Sequence, residues 1–260
     1  YQKALCEALA NQGKYKEAQD LVAEILRADP NDNEAIGIHA SLKLATGSKE
    51  DAQAAIADLQ TILSRLPRER TAVVRYNLGR GYAMRGNNQQ AKIQYEEALQ
   101  IRPDYLQPRI ALAELLLQSK DHGRVMQLAQ EVLAIDPQNI PARLLRSRAL
   151  VGLGDLNQAR TELKQITTQY PQVMEAQLQL AGVDAAANNN AAAEATYKAV
   201  IAKTGDLRAV VGLSETYLRA DRVDDAIRVL RDELQRNPSN TKIHILLGNV
   251  AMRSQRWDMA

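Results

Sequence analysis

The sequence has no Phe, one Trp and one Cys among its 260 residues, and its aromatic fraction is only 4%. The single cysteine, Cys6, excludes an internal disulfide and a metal site built from several thiolates. The net charge is +2, so bulk electrostatics do not favour nucleic acid or an anionic membrane as a partner. No apolar run approaches the ~20 residues of a membrane span, so we expect no direct membrane insertion. Ala and Leu must supply the core, which favours closely packed helices.

Three sets of residues recur with a period of about 34 residues, and such periodicity is typical of repeat architectures. The first set consists of prolines, with Gly205 in the place of one of them: Pro30, Pro67, Pro103, Pro137, Pro171 and Pro238. The second set consists mostly of small residues: Cys6, Ala40, Gly79, Ala113, Ser147, Ala181, Ser214 and Gly248. The third set is mostly alanine: Ala18, Ala55, Ala91, Val125, Ala159, Ala193, Ala226 and Ala260. Small residues are needed where two helices cross closely, so the last two sets predict helix crossings.

Each repeat contains two segments with helical spacing of apolar residues, separated by a turn. In the third repeat, Gly86 lies in this turn, where a helix can end in a left-handed residue. Pro103 closes the repeat, because proline disfavours helical geometry in the preceding residue. No segment alternates with the period of a strand, so we predict an all-α chain. After the prolines, Asn33, Asn139 and Asn240 are predicted to cap the next helix.

The third repeat resembles the tetratricopeptide repeat, with matching residues at Leu78-Gly79, Tyr82, Ala91, Tyr95, Ala98 and Pro103. The resemblance implies a right-handed superhelical α-solenoid of about 7.5 helix-turn-helix repeats that forms a single domain over 1–260. The repeats are expected at approximately 1–32, 33–71, 72–105, 106–139, 140–173, 174–206, 207–240 and, in part, 241–260. Extra residues around 46–52 predict a longer turn in the second repeat, and two more are inserted near Arg70.

The chain has no polar capping element at either end, so we expect it to be a piece of a longer protein. Tyr1 is predicted within a first helix, Ala260 within a second helix, and Trp257 at an exposed apolar edge. Uncapped ends also make self-association a further hypothesis. The style of the repeats resembles long arrays of bacterial envelope-associated proteins. The single cysteine is compatible with the bacterial cytoplasm and with the periplasm or envelope, so it assigns no compartment.

The residues that could carry chemistry are scattered through the repeats. His39, His122 and His244 have no metal-ligand spacing, and Cys6 occupies a helix-crossing position that suits a small core residue. Gly79, Gly81 and Gly86 follow no strand, which argues against a phosphate-binding loop. We therefore predict no catalytic residue, no metal and no cofactor, and a protein that is not an enzyme.

The resemblance implies that one stripe of each first helix lines a concave surface, where partner peptides or helices bind. This predicted stripe is largely apolar, with a charged or small residue once per repeat. We assign to the partner-binding groove Tyr76, Arg80, Ile110, Glu114, Leu144, Arg148, Leu178, Val211 and Glu215. The predicted partner is therefore another protein, and nucleic acid is not expected.

Two sets of charged residues recur at intervals of 34 residues. The first, which we call the stacked set, consists of Arg75, Arg109 and Arg143. One prediction is that their stems pack along the helix seam and their guanidinium groups lie in water. The other is that they form a basic patch that binds carboxylates of an acidic partner. Arg80, Glu114 and Arg148 alternate in sign and predict either an internal ion ladder or part of the groove.

These features favour an interaction scaffold as the function. The alternative is a regulatory or targeting segment of a larger enzyme, or of an envelope or secretion assembly.

Overall fold

The computed structural model describes residues 1–253, which form fifteen α-helices, one short 3₁₀ helix and no strand. The prediction of an all-α chain is confirmed. The helices of the first half are α1 Gln2–Asn11, α2 Tyr15–Ala28, α3 Asn33–Thr46, α4 Lys49–Arg65, α5 Ala72–Met84, α6 Asn88–Ile101, α7 Leu106–Gln118 and α8 His122–Ile135. Those of the second half are α9 Ile140–Gly152, α10 Leu156–Gln169, α11 Met174–Ala186, α12 Asn190–Thr204, α13 Leu207–Arg219, α14 Val223–Arg236 and α15 Thr241–Arg253.

The chain divides into two compact units, Tyr1–Pro137 and Gln138–Ala260. In the first unit α1 to α8 form four helix pairs, and in the second α9 to α14 form three pairs that are followed by α15. Within each unit a helix packs against its neighbours along the chain. The first helices of successive pairs also touch one another, as α1, α3, α5 and α7 do in the first unit. The first helices therefore form a continuous layer within that unit.

The residues that the periodicity assigns to helix crossings are buried in both units. Gly79 is buried, and the other members up to Ala226 are at most 1% exposed: Cys6, Ala18, Ala40, Ala55, Ala91, Ala113, Val125, Ser147, Ala159, Ala181, Ala193, Ser214 and Ala226. Gly248 is half-buried, and Ala260 lies outside the described residues. Small side chains at these points allow the helix axes to approach closely.

The helix ends follow the predicted turn chemistry, with one correction. Gly86 and Gly205 adopt left-handed conformations with φ of 78° and 65°. The side chains of Asn139 and Asn240 accept hydrogen bonds from the amides of Ala142 and Ile243 at 3.1 and 3.3 Å. These two caps are therefore as predicted.

The prediction that Asn33 caps α3 is wrong, because Asp32 occupies that position. The Asp32 carboxylate accepts hydrogen bonds from the amides of Glu34 and Ala35, at 3.0 and 3.1 Å. An acidic cap is favourable at the positive end of the helix dipole. Asn33 is instead the first residue of the helix.

The turn of the second pair is not lengthened, contrary to the sequence-based expectation. Only Gly47 and Ser48 separate α3 from α4, because Gly47 takes a left-handed conformation and the Ser48 hydroxyl caps α4 by accepting from the Asp51 amide at 2.9 Å. The additional residues extend α4 to 17 residues, whereas the other second helices have 14 or 15. The two residues inserted near Arg70 contribute to the 3₁₀ helix Arg68–Arg70 before α5.

At the start of the chain, Tyr1 precedes α1 instead of lying within it, contrary to the prediction. Trp257 lies outside the described residues.

An ion network joins α12 to the following helix pair in the second unit. The Glu194 carboxylate accepts hydrogen bonds from Lys198 at 2.7 Å, from the Tyr217 hydroxyl at 2.9 Å and from Arg222 at 2.6 Å. These donors, Lys198 first, lower the pKa of Glu194 to about 2 against the opposing effect of burial. The charged form of Glu194 thus stabilises this part of the fold.

The network predicts a loss of stability in acid. Because the folded pKa of Glu194 is lowered, its contribution is complete above the unfolded pKa and is lost as the pH falls from about 4.5 towards 2. We expect Glu194→Gln to reduce the free energy of unfolding at pH 7 by about 1 kcal/mol, a value that allows for solvent screening. Denaturant unfolding at pH 7 and at pH 3 measures the effect. A Gln variant whose deficit is equally large at both pH values would contradict it.

The helix crossing at Ala159 predicts a cost of overpacking. Ala159→Leu adds three carbon atoms where the side chain is fully buried, so we expect a loss of about 1–3 kcal/mol in the free energy of unfolding. Ala199→Leu makes the same change at an exposed position of α12 and is the control. Equal melting curves for the two variants would refute the crossing assignment.

Candidate functional site

The first helices of the first unit line an open groove of about 460 Å³. Its apolar lining comes from α1, α3 and α5, with one residue from α4: Ala10, Ile38, Leu42, Ala45, Leu59, Val73 and Val74. Its remaining lining consists of Gly37 and the polar residues Glu7, Asn11, Tyr15, Glu34, Ser41 and Asn77. We call this set the first-helix groove. Its volume falls within the range of ordinary ligand pockets, and its mixture of an apolar surface with a few polar groups is typical of them.

Two carboxylates lie in the first-helix groove, and its lining contains no Lys or Arg. Glu7 is exposed on α1, and Glu34 is in the first turn of α3. The ammonium group of Lys3 lies 3.0 Å from Asp32 and 2.5 Å from Glu34. One cation is therefore set against three carboxylates at this end of the groove, where the charge is negative.

Three tyrosines gather beside α5. The Tyr76 ring lies 6.1 Å from that of Tyr95 and 5.5 Å, edge to face, from that of Tyr105. Arg80 lies 5.9 Å from the centroid of the Tyr76 ring, and Arg102 lies 3.6 Å from that of Tyr105, so both arginines are placed for cation–π attraction. Burial raises the pKa of Tyr76 above its ordinary value.

Tyr95 occupies the space that Gly79 leaves at the crossing of α5 and α6. A Cβ atom at Gly79 would overlap the Tyr95 ring, which is itself 3% exposed. Gly79 therefore positions Tyr95, and Tyr95 supports the ring of Tyr76 on the exposed side of α5.

The stacked arginines contact the second helix of their own pair. Arg75 forms a close ion pair with Glu97, and Arg109 binds Glu131 at 3.0 Å, with 16% and 14% of the two arginine side chains exposed. Arg143 is 8% exposed and lies 3.5 Å from the side-chain oxygens of Gln165 and Gln169. The guanidinium groups are thus turned towards their own helix pairs. One of the two hypotheses had predicted that these groups lie in water, and they do not. The basic patch stays a prediction.

A second signal in the sequence could have indicated this pairing. The partners Glu97, Glu131 and Gln165 recur at the same 34-residue interval as the arginines. They follow the arginines by 22 residues, which places each of them on the second helix of the same pair.

The alternating set has a different placement. Arg80 donates to the Asn77 side chain at 3.4 Å, and the charges of both Arg80 and Glu114 act on Tyr76. Glu114 is exposed, and Ile110 beside it on α7 is half-buried. In the second unit Arg148 is exposed on α9. The ion-ladder hypothesis stays a prediction.

The other predicted groove residues lie in the second unit and differ in exposure. Leu144 and Val211 are half-buried, Leu178 is 9% exposed, and Glu215 is exposed within 3.9 Å of Arg219.

The sequence pattern did not predict the groove residues of the first two pairs, including Glu7, Tyr15 and Glu34. The predicted stripe began only at the third repeat, because insertions disturb the spacing between the second and third repeats.

The three histidines and Cys6 lie in separate places. His39 is 3.0 Å from Asp58, His244 is 2.7 Å from the carbonyl of Pro238, and Cys6 is buried among apolar residues, which raises the pKa of its thiol. Across residues 1–253 no three His, Cys, Asp or Glu side chains are grouped so as to hold a metal ion. No helix in the same range has the length and hydropathy of a membrane span.

Comparisons with known families and structures agree with this architecture. Family models described as tetratricopeptide repeat match residues 72–105, 116–181 and 211–260. No curated protein matches the sequence.

Solved structures with a similar fold include proteins described as tetratricopeptide repeat proteins. One from Parabacteroides merdae has a TM-score of 0.73 and 15% identity, over 96% of this chain and 97% of that one. A thermophilic protein from Thermus thermophilus has a TM-score of 0.61 and 22% identity, over 70% and 99%. YrrB, described as having an unusual peptide-binding site, has a TM-score of 0.53 and 14% identity, over 76% and 97%. At these identities the likeness shows the fold.

The contact between Gly79 and Tyr95 predicts the effect of one methyl group. Gly79→Ala would force the buried Tyr95 ring to move, so we expect the free energy of unfolding to fall by about 1–3 kcal/mol. Gly123→Ala in α8 is the control, since a Cβ atom there has nothing within 4 Å and alanine favours the helix. Denaturant titration compares the two variants. The packing role of Gly79 is refuted if both are as stable as the parent protein.

Proposed function

Because the chain belongs to the tetratricopeptide repeat family, whose members serve as interaction scaffolds, we propose that it binds a peptide or helix of another protein on its first-helix face. This face consists of the exposed side chains of the first helix in each pair. Within each unit, stacked helix pairs leave one face of the first helices exposed, and this face offers a surface for a partner.

One observation carries the proposal: the first helices α1, α3 and α5 leave an open and largely apolar groove of about 460 Å³. Val73, which is 46% exposed, lies on its lining. An exposed apolar surface rimmed by polar groups is typical of an interaction site. YrrB supports the same reading, as a protein of similar fold with a peptide-binding site.

The residues predicted for the groove contribute to this proposal where they are accessible. Tyr76, Arg80 and Glu114 lie together in the first unit, and Arg148 and Glu215 are exposed on α9 and α13. The alternative role within a larger enzyme or assembly, and self-association of the chain, stay hypotheses that no contact of the described residues favours.

The proposal predicts that a partner is cross-linked from the first helices and not from the second. We would place the photoreactive residue p-benzoylphenylalanine at Glu7, Glu34 or Val73, which are exposed on α1, α3 and α5. After irradiation in extract of the source cells, we expect one partner to be captured at these positions and detected by a shift on denaturing gels.

Matched controls carry the same group on second helices, at Gln130, Lys164 and Arg231, which are exposed on α8, α10 and α14. Capture of the same partner with equal yield from both sets would show that the first-helix face is not the binding surface. A complete absence of capture from the first-helix positions would also argue against the proposal.

A further inference from the structure

The first-helix groove has a pronounced asymmetry of charge. Its lining includes Glu7 and Glu34, and no lining residue carries a positive charge. Lys3, just outside the lining, is shared between Asp32 and Glu34. Two carboxylates therefore share one ammonium group, and a third, Glu7, is exposed on the α1 side of the groove.

The apolar part of the groove lies beside these carboxylates. Val73 and Val74 on α5 and Ile38 and Leu42 on α3 line it. Val73 remains 46% exposed, so it retains apolar area that a ligand could bury.

The nearby arginine does not reverse this asymmetry. Arg80 donates to Asn77, which lines the groove from α5, at a distance of 3.4 Å. Its guanidinium lies beside the Tyr76 ring. The carboxylates, by contrast, are on α1 and α3. A ligand therefore meets negative charge on α1 and at the first turn of α3, and apolar side chains further along α3 and on α5.

We propose that the first-helix groove binds a segment of a partner protein in which an aliphatic side chain is flanked by Lys or Arg. The aliphatic side chain packs against Val73 and Ile38, and the cation pairs with Glu7 and, in competition with Lys3, with Glu34. This inference rests on the proposed function and specifies its partner. It assigns to this groove the opposite charge preference from the acidic partner that the arginine spacing predicted. Charge pairs at such a rim determine which partner is selected and how fast it associates.

The test begins with peptides selected by the protein itself. A random dodecapeptide library displayed on phage is panned against the full chain, and the most enriched peptide is synthesised with a fluorescent label. We expect enrichment of Lys or Arg next to Leu, Ile or Val. Fluorescence anisotropy then measures the dissociation constant, which should rise as the salt concentration is increased from about 0.05 to about 0.5 M because the ion pairs are screened.

Two double variants separate the groove from general charge effects. Glu7→Gln with Glu34→Gln removes both groove carboxylates and should weaken binding about tenfold, the equivalent of about 1.4 kcal/mol. Glu17→Gln with Glu24→Gln removes the same net charge from exposed positions on α2 and should leave the dissociation constant unchanged. Val73→Ser removes exposed apolar surface and should also weaken binding. Circular dichroism melting curves establish that all variants are folded.

The outcomes distinguish this inference from the proposed function. Enriched peptides that are acidic, or whose affinity is the same for both double variants, would overturn the basic-aliphatic partner and leave a peptide-binding scaffold in place. Failure to enrich any peptide that binds the folded chain would overturn both. Enrichment of basic-aliphatic peptides that bind the Glu7/Glu34 variant about tenfold more weakly supports both.

Discussion

The structure depends on the close approach of two helices at a point where neither can carry a large side chain. Ala18 against α1 and Ala159 against α9 are fully buried examples of this constraint. Once the crossing is close, the larger apolar side chains on either side of it interlock and exclude water, and the pair becomes a unit that the next pair can extend. A low aromatic fraction of 4% is compatible with such a core, because it needs small residues at regular intervals.

The same constraint leaves the first helices with a free face. In the first unit, the first helices α3, α5 and α7 each pack against their own second helix, the preceding second helix and the neighbouring first helices. What remains exposed is a narrow stripe, and in the first unit these stripes meet around Gly37, Val73 and Asn77 to form the first-helix groove. At Gly79 the crossing residue is glycine, and the Tyr95 ring fills the space that a side chain would occupy. The ring of Tyr76 packs against the ring of Tyr95, so the contact between Gly79 and Tyr95 in the core affects the position of Tyr76.

The periodic arginines could be interpreted in two ways, as a charged surface array or as ion pairs within each helix pair. Arg75 and Arg109 recur at the repeat interval and resemble a surface array when they are considered alone. Their carboxylate partners recur at the same interval and hold them within their own helix pairs. A buried or half-buried ion pair fixes the geometry of a pair and contributes little net stability. Other charged side chains of the first unit, such as Glu7, are exposed instead.

The sequence by itself determined the helix pairs, their crossing residues and most of their turns, because these depend on interactions between residues that are close along the chain and on the repeated spacing of small side chains. It placed Gly86 and Asn139 correctly, and it failed at Asn33 and at the turn after Thr46, where neighbouring residues compete for one cap and extra residues can lengthen a helix as easily as a loop. Tertiary structure alone decided which side chains remain available to a partner. The packing of separate helices determines whether Arg109 faces solvent or Glu131, and whether Glu7 and Val73 share one groove. The reason is that the burial and pairing of a side chain depend on neighbours that are distant along the chain.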